Sequence, residues 1–330
     1  MAEDLQIYDV VMIGAGPASL AAAIYTTRED MKTVLLEKGV IGGLAAITDW
    51  VDNYPGFAKG ISGLALAEQL EAQAERFGAI IKFGEVTDIQ DEGQLKRVKT
   101  AYDGDFLGKT VLIGTGTDYK KVGVPGEDAF YGRGVHYCAT CDGAFYRDKR
   151  LVVIGGGNSA VQEALFLTRF ATHIDMLVRS EVKASEILQH ELSKNDKITV
   201  HVQTTTKEII GENNKVVKVI GEQNGQEVNF DTDGVFVFVG LKPNTGFLRD
   251  HVHIRLDTYG FIESNEALQT AMPGVFVAGD VRSGATMQIA TAVGEGATAA
   301  LRIREYIEEQ ERVAAHEPAT SSSYVVSQEQ

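Results

Sequence analysis

CATCDGAFYRDKRLVVIGGGNSA, residues 138–160, decides the fold. Its second half, Leu151-Val-Val-Ile154 running into Gly155-Gly-Gly157-Asn158-Ser159-Ala160, predicts a buried parallel strand that turns into a helix. Clustered glycines there let backbone approach a pyrophosphate, whose charge the helix N-terminus stabilises. The first half places two thiols two residues apart, Cys138 and Cys141, with Asp142 directly after. Such a pair can cycle between dithiol and disulfide. These are the only two cysteines of the chain, so no other intramolecular disulfide can form. A bridge over two residues closes too small a loop to restrain much of the unfolded chain, which argues against a staple. Half a zinc site or two core thiols are the alternatives. Zinc wants four ligands, and no second CxxC or His pair lies nearby, so no metal is expected.

The same pattern stands near the N-terminus. Tyr8 to Ile13 reads as a buried strand entering Gly14-Ala15-Gly16-Pro17-Ala18-Ser19. Leu20 to Thr27 is Ala-rich and helix-prone, and Thr33 to Leu36 reads as the next strand, closing on Glu37. Gly14 permits the turn, Gly16 lets a phosphate come close, and Glu37 stands about 20 residues on, where a carboxylate meets a ribose hydroxyl. Ser19 replaces the usual third glycine, which implies slightly looser helix–strand packing. In the second unit a helix is expected from Ala160 to about Phe170 and a strand over Ile174 to Val178. Arg179 follows where the first unit has its acid. An arginine there accommodates a 2′-phosphate, with Lys183 as a second cation; the alternative is a pair of solvated surface charges. Two dinucleotide units in one chain are an internal repeat and fix the architecture as α/β with two Rossmann-like domains.

Between and beyond these units the chain alternates turns and strands. Gly42-Gly43 and Asn53-Tyr-Pro-Gly56-Phe57 read as loops, with Trp50 and Tyr54 as core or flanking a ring. Ser62 to Phe77 has helical periodicity with Ser62 as N-cap. Ile80 to Lys99 reads as a β-meander, and Thr110 to Ile113 as a buried strand ending in Gly114-Thr115-Gly116. Asp233 to Gly240 and Val275 to Ala278 are further strands, the latter closing on Gly279-Asp280, where an acid can meet a ribityl hydroxyl or a phosphate. Met287-Gln288-Ile289 leads into a helix over Ala290 to Tyr306. Residues 311–330 carry little apolar periodicity and read as a disordered tail.

At 330 residues the chain has room for two domains, and 44% hydrophobic content is ordinary for a globular protein. A net charge of −15 argues against nucleic acid and against anionic membrane surfaces. No apolar run approaches the roughly 20 residues of a membrane helix. The opening MAEDLQIYDV has no basic region leading into an apolar one, so no export signal is expected, and a dithiol without one fits a reducing cytoplasm.

From Tyr8 to about Tyr306 the sequence resembles the low-molecular-weight FAD-dependent thioredoxin reductases. The motifs that carry the resemblance are GAGPAS (14–19), the Gly42-Gly43 loop, NYPGF (53–57), GTG (114–116), CATCDG (138–143), GGGNSA (155–160), GLKPNT (240–245) and AGDV (278–281). CATCDG just before the second glycine turn is the specific one. The resemblance implies an FAD-binding domain from 1–117 and 246–330, with a nicotinamide-binding domain, 118–245, inserted into it and carrying the dithiol. It implies FAD held by Gly14, Gly16, Pro17, Ala18, Glu37, Gly43, Asn53, Thr115, Gly116, Gly279, Asp280, Met287, Gln288 and Ile289. It implies NADPH on Gly155, Gly157, Asn158, Ser159, Ala160, Arg179 and Lys183. It further implies a cytoplasmic homodimer that reduces thioredoxin or a thioredoxin-like protein. Cys141 would face the flavin, Cys138 would attack the partner's disulfide, and Asp142 would supply or hold the proton. The domains would rotate at hinges near Thr117 and Leu241–Thr245.

Three positions depart from that pattern. The family's His-Arg-Arg and following Arg stand here as Val178-Arg179-Ser180 with Lys183. The Gln after the Gly-Gly pair is Leu44, and the Arg before Gln288 is Met287. The alternatives are a related enzyme using NADH or a protein donor such as ferredoxin, and a flavin-bound redox sensor.

Overall fold

The structure, a computed structural model, describes residues 6–48, 50–249 and 251–316. The chain divides into two compact units. One comprises 1–45, 67–116 and 245–330, the other 46–66 and 117–244.

The first unit is built on a seven-stranded sheet. Strands Ile80–Phe83, Thr33–Glu37, Ile7–Ile13 and Asp105–Ile113 lie side by side in parallel, and Val275–Val277 joins Asp105–Ile113. Val86–Glu92 and Leu95–Thr100 extend the sheet as an antiparallel meander. The apolar run of the first strand is buried from Val10 to Ile13, as a strand covered on both faces must be. Val11, Ile13, Val34, Leu36, Val111 and Ile113 share one core cluster. The helix Pro17–Arg28 starts at its proline, three residues before the Ala-rich run, because a first-turn proline lacks only an N–H that the helix leaves unpaired anyway. It packs against the helix Ile289–His316 through small residues: a Cβ at Gly296 would collide with the Ala18 carbonyl oxygen. Ser62 Oγ accepts the Ala65 amide and starts the helix Gly63–Arg76 as expected.

The expected tail begins later than the sequence indicates. Ile289–His316 is one continuous helix, so residues 311–316 are helical. Residues 311–315 are exposed, and good helix formers and the Arg312–Glu309 ion pair sustain this end without an apolar face. Lys109 also reaches Glu311 at 3.1 Å. The remainder of the expected tail, 317–330, lies outside the described residues.

The second unit contains a five-stranded parallel sheet in the order Ile198–His201, His173–Leu177, Arg150–Ile154, Gly234–Val237, Val135–His136. Along Arg150–Ile154, Leu151 and Val153 face one core cluster, while Val152 and Ile154 face another. The first cluster is covered by the helix Asn158–Leu167. The second packs under a three-stranded antiparallel sheet, Thr204–Glu212, Lys215–Gln223 and Gln226–Asp231, through Val216, Val219 and Phe230. Strand Gly234–Val237 is shorter at both ends than the apolar run 233–240. Its extension folds over Gly155, where the Phe238 carbonyl oxygen occupies the space a Cβ would need. The segments Thr117–Tyr119 and Leu241–Pro243 pair as a separate antiparallel ribbon.

Candidate active site and cofactor cradles

In the first unit the glycine turn is a tight junction of two strand ends. Gly14 has φ +91°, and a Cβ on it would lie 2.6 Å from the Gly114 carbonyl oxygen. Only glycine meets both conditions. The following helix has Gly16 at its N-cap and no side-chain cap, leaving its first amides for a ligand. Gly43 and Gly116 also have positive φ, and a Cβ on either would meet nothing within 4 Å, so their backbone borders open space. Glu37 accepts the Ala15 amide at 2.7 Å and the Gly39 amide at 2.7 Å.

Ser19 corrects the expectation of loose packing. It is fully buried, and its Oγ fills the position that a Cβ of Gly114 would take. That Oγ has no hydrogen-bond partner among the described residues.

At the far side of the cradle, Gly279 donates its amide to Glu295 Oε2 at 2.8 Å, and Arg282 Nε reaches the same oxygen at 3.2 Å. Gly279 has φ +79° and Ala18 lies 3.0 Å from where its Cβ would be, so this turn abuts the first helix. Burial, and then the Glu295 charge, push the neighbouring Asp280 carboxyl up to about 6. Met287 adopts φ +59°, and Gln288 turns the chain into the last helix, its amide facing Thr291 Oγ1 at 3.3 Å. Ile289 is the first residue of that helix. Gly14, Gly16, Pro17, Ala18, Glu37, Gly43, Thr115, Gly116, Gly279, Asp280, Met287, Gln288 and Ile289 all fall in the first unit; Asn53 falls in the second, exposed in the segment 46–66. Trp50 is not core: it is 42% exposed.

The second glycine turn repeats the first. Gly155 has φ +143° and is hemmed in by Phe238 and Ala160, whose Cβ lies 2.9 Å from the added atom. Gly157 is the N-cap of a helix without a side-chain cap, and a Cβ on it would meet nothing within 4 Å. Ser159 and Ala160 lie in the helix's first turn, and Asn158 Oδ1 accepts the Ser185 amide at 2.8 Å. The Lys183 amide donates to the Gly156 carbonyl at 2.7 Å, which ties the basic loop to the turn. Arg179 and Lys183 are exposed and make no ion pair among the described residues.

Cys138 and Cys141 form a disulfide, with Cα atoms 5.3 Å apart. Cys138 caps the short helix Ala139–Asp142, and its Sγ accepts the Cys141 amide at 3.2 Å. Both cysteines and Asp142 are half-buried and border a cavity of about 460 Å³ whose walls include Trp50, Tyr119 and Tyr131. Asp142 Oδ2 lies 3.2 Å from His136 Nδ1, and His136 Nε2 lies 2.7 Å from Tyr146 Oη. The imidazole stacks on Phe236, with centroids 5.2 Å apart. Burial, then the Asp142 charge, hold the Tyr146 and Tyr131 phenols above their ordinary value. Tyr137 donates to Glu127 Oε1 at 2.8 Å, and Glu127 also accepts the Val122 and Gly123 amides. His136 and Tyr146 are not singled out by the sequence. A lone histidine two residues before a cysteine has no spacing that marks it; the only signal was its place beside CATCDG.

A parallel sheet opened by a glycine turn, present twice, with a disulfide just ahead of the second turn, defines a two-dinucleotide disulfide oxidoreductase. The model of the family "Pyridine nucleotide-disulphide oxidoreductase" matches residues 8–296. The chain is 42% identical over 313 residues to a thioredoxin reductase of Bacillus subtilis, an alignment covering 92% of this chain and 96% of that one. A crystal structure of thioredoxin reductase from Streptococcus pyogenes superposes with a TM-score of 0.87 at 40% identity, covering 92% of this chain and 99% of that one. The solved structure of a thioredoxin reductase from Giardia duodenalis gives a TM-score of 0.87 at 29% identity, with the same coverage. The chain belongs to the pyridine nucleotide-disulphide oxidoreductase family and, within it, to the thioredoxin reductases.

Proposed function

We propose that this protein passes electrons from NADPH through FAD and the Cys138/Cys141 pair to thioredoxin or a thioredoxin-like protein, as a cytoplasmic homodimer. The observation that carries the reading is the Cys138–Cys141 disulfide with Asp142 beside it, half-exposed in the unit that holds the second glycine turn.

The residues fit both cofactors. In the first unit the uncapped helix start at Gly16, the open backbone at Gly43 and Gly116, and the carboxylates of Glu37 and Asp280 suit a flavin dinucleotide. In the second, the open backbone at Gly157 suits a pyrophosphate, and Arg179 with Lys183 suits a 2′-phosphate. The two sites fall in the units 1–45/67–116/245–330 and 46–66/117–244, which we assign to FAD and nicotinamide respectively. FAD, when bound, supplies the relay between a hydride donor and a disulfide.

The chain's own residues do the rest. Two electrons break the Cys138–Cys141 bond, and Asp142 provides the proton that makes one sulfur a thiol. Cys138 suits the attacking thiolate: the Cys141 amide already donates to its sulfur, a contact that favours the charged form. Cys141 then closes the disulfide again and releases the reduced partner.

Anaerobic titration of the yellow protein with NADPH and with NADH tests the reading. NADPH should bleach the flavin at lower concentration than NADH, and oxidised thioredoxin should restore the colour. Bleaching by neither nicotinamide would move the electron source to a protein donor. Bleaching without re-oxidation by thioredoxin would leave a flavin-bound sensor.

A further inference from the structure

The dithiol's carboxylate is itself held by a histidine that the reading above does not use. We propose that His136 is a positioning residue for Asp142, holding the carboxyl beside the disulfide in both of its protonation states through a relay that ends on Tyr146. The inference rests on the proposed disulfide chemistry and adds a residue to it.

The geometry is a linear chain of three groups. Asp142 Oδ2 faces His136 Nδ1 at 3.2 Å, and His136 Nε2 faces Tyr146 Oη at 2.7 Å. With Asp142 ionised, Nδ1–H donates to the carboxylate and Nε2 accepts from the phenol. With Asp142 protonated on its other oxygen, Nδ1–H still donates to Oδ2, and Nε2 still accepts from the phenol. One nitrogen donates while the other accepts, so the ring keeps one tautomer in both states. Packing holds the ring and its partner in place. His136 is only 8% exposed and lies between Phe236 and Tyr146. Tyr146 in turn lies against Gly234, where its ring occupies the space of the missing Cβ, so the third group is pinned by the neighbouring strand.

The phenols of Tyr131 and Tyr146 face Asp142, and Asp233 acts on Tyr146. All three leave the imidazole as the donor to the carboxylate. Glu127 is turned away, engaged by Tyr137 and two backbone amides.

Two electrons open the disulfide, and one proton leaves Asp142 for Cys141, leaving Cys138 as thiolate. His136 Nδ1–H then donates to the new carboxylate. Cys138 attacks the partner's disulfide, forming a mixed disulfide and a partner thiolate. Cys141 returns its proton to Asp142 and attacks Cys138 Sγ, which releases the partner's second thiolate; solvent protonates the reduced partner. The ring keeps its proton on Nδ1 throughout the cycle, and the relay consumes nothing.

The test uses the FAD-loaded protein and three variants. His136→Phe removes both nitrogens, His136→Asn keeps an N–H donor toward Asp142, and Tyr146→Phe keeps the ring on Gly234 while removing the hydroxyl. Two profiles are measured from pH 5.5 to 9: turnover with thioredoxin, and the rate of iodoacetamide alkylation of dithiothreitol-reduced protein. In His136→Phe the carboxylate loses a donor, so the acid limb of both profiles should move up by roughly one unit, and turnover at pH 7 should fall roughly tenfold or more. His136→Asn should return the limb toward wild type, and Tyr146→Phe should move it in the same direction by less. FAD content and flavin bleaching by NADPH should stay within about twofold of wild type, since neither uses that proton. An unmoved acid limb in His136→Phe overturns the proposal, as does a loss shared equally by His136→Phe and His136→Asn. Should His136→Phe not fold, an unmoved limb in Tyr146→Phe together with a wild-type profile in His136→Asn overturns it. If wild-type protein reduces no thioredoxin, the proposed function fails, and the alkylation profile still decides the role of His136.

Discussion

The Ala15 amide donates to Glu37 Oε2 at 2.7 Å, so a carboxylate at the end of one strand holds the glycine turn at the end of the next. Its other oxygen takes the Gly39 amide. Glu37→Ala removes both charge-assisted bonds, each of the kind worth about 1.5–3 kcal/mol. It should lower the melting temperature of the FAD-free protein and raise the FAD dissociation constant roughly 10–100-fold. Purification with a full complement of FAD and an unchanged melting curve would refute the role.

Cys138→Ser and Cys141→Ser should each abolish thioredoxin reduction while flavin bleaching by the nicotinamide persists. Only Cys141→Ser keeps the attacking sulfur, so only it should accumulate a mixed disulfide with thioredoxin on a non-reducing gel. A mixed disulfide trapped by Cys138→Ser instead would reverse the two assignments.

Arg179 stands exposed at the end of its strand with no carboxylate paired to it among the described residues, which leaves it available to a dianionic phosphate. Arg179→Ala should raise the NADPH Michaelis constant roughly 10–100-fold, the loss expected for one charge-assisted contact. NADH kinetics should be nearly unchanged, because NADH lacks that phosphate. An equal loss with both nicotinamides would show that Arg179 does not read the phosphate.

Asp280 gives a pH test. Its carboxyl is pushed from an ordinary 3.8 up to about 6 by burial and then by Glu295. Between those values the folded protein holds a proton that the unfolded chain has lost. Stability of the FAD-free protein should therefore fall as pH rises from about 4 to about 6, by about 2–3 kcal/mol from this group. Asp280→Asn should flatten that fall and be the more stable protein at pH 7, as read from urea midpoints. Parallel pH dependences for the two proteins would count against a buried, strained carboxylate.

The two βαβ repeats were legible because strand, glycine turn, helix and strand follow one another without interruption. Their apolar runs are continuous, as strands buried on both faces require. The sheet Thr204–Asp231 was not read, although its turns were written in the sequence. Asn213-Asn214 and Asn224-Gly225 all have positive φ and join the strands in two residues each. Its strands are half polar, so no apolar run announced them. The helical residues 311–316 were missed because ion pairs along the helix, not an apolar stripe, support them. At the site, the cysteines and Asp142 were legible from their spacing. His136 and Tyr146 were not, because their meeting depends on the packing around Phe236 and Gly234, far along the chain.

Ser19 and Gly114 occupy one another's space. The hydroxyl of the first fills the void left by the second. The two positions are therefore locked in step: sequence drift at either is confined by the other. Gly114→Ala should be tolerated only in the company of a smaller residue at 19, and a double-mutant cycle should return a coupling energy well above the roughly 0.3–0.5 kcal/mol at which distant sites count as independent. In a lineage of such chains, the third glycine position of the first motif would then change together with a residue almost a hundred positions away, leaving a pairwise trace of the strand junction in the sequences themselves.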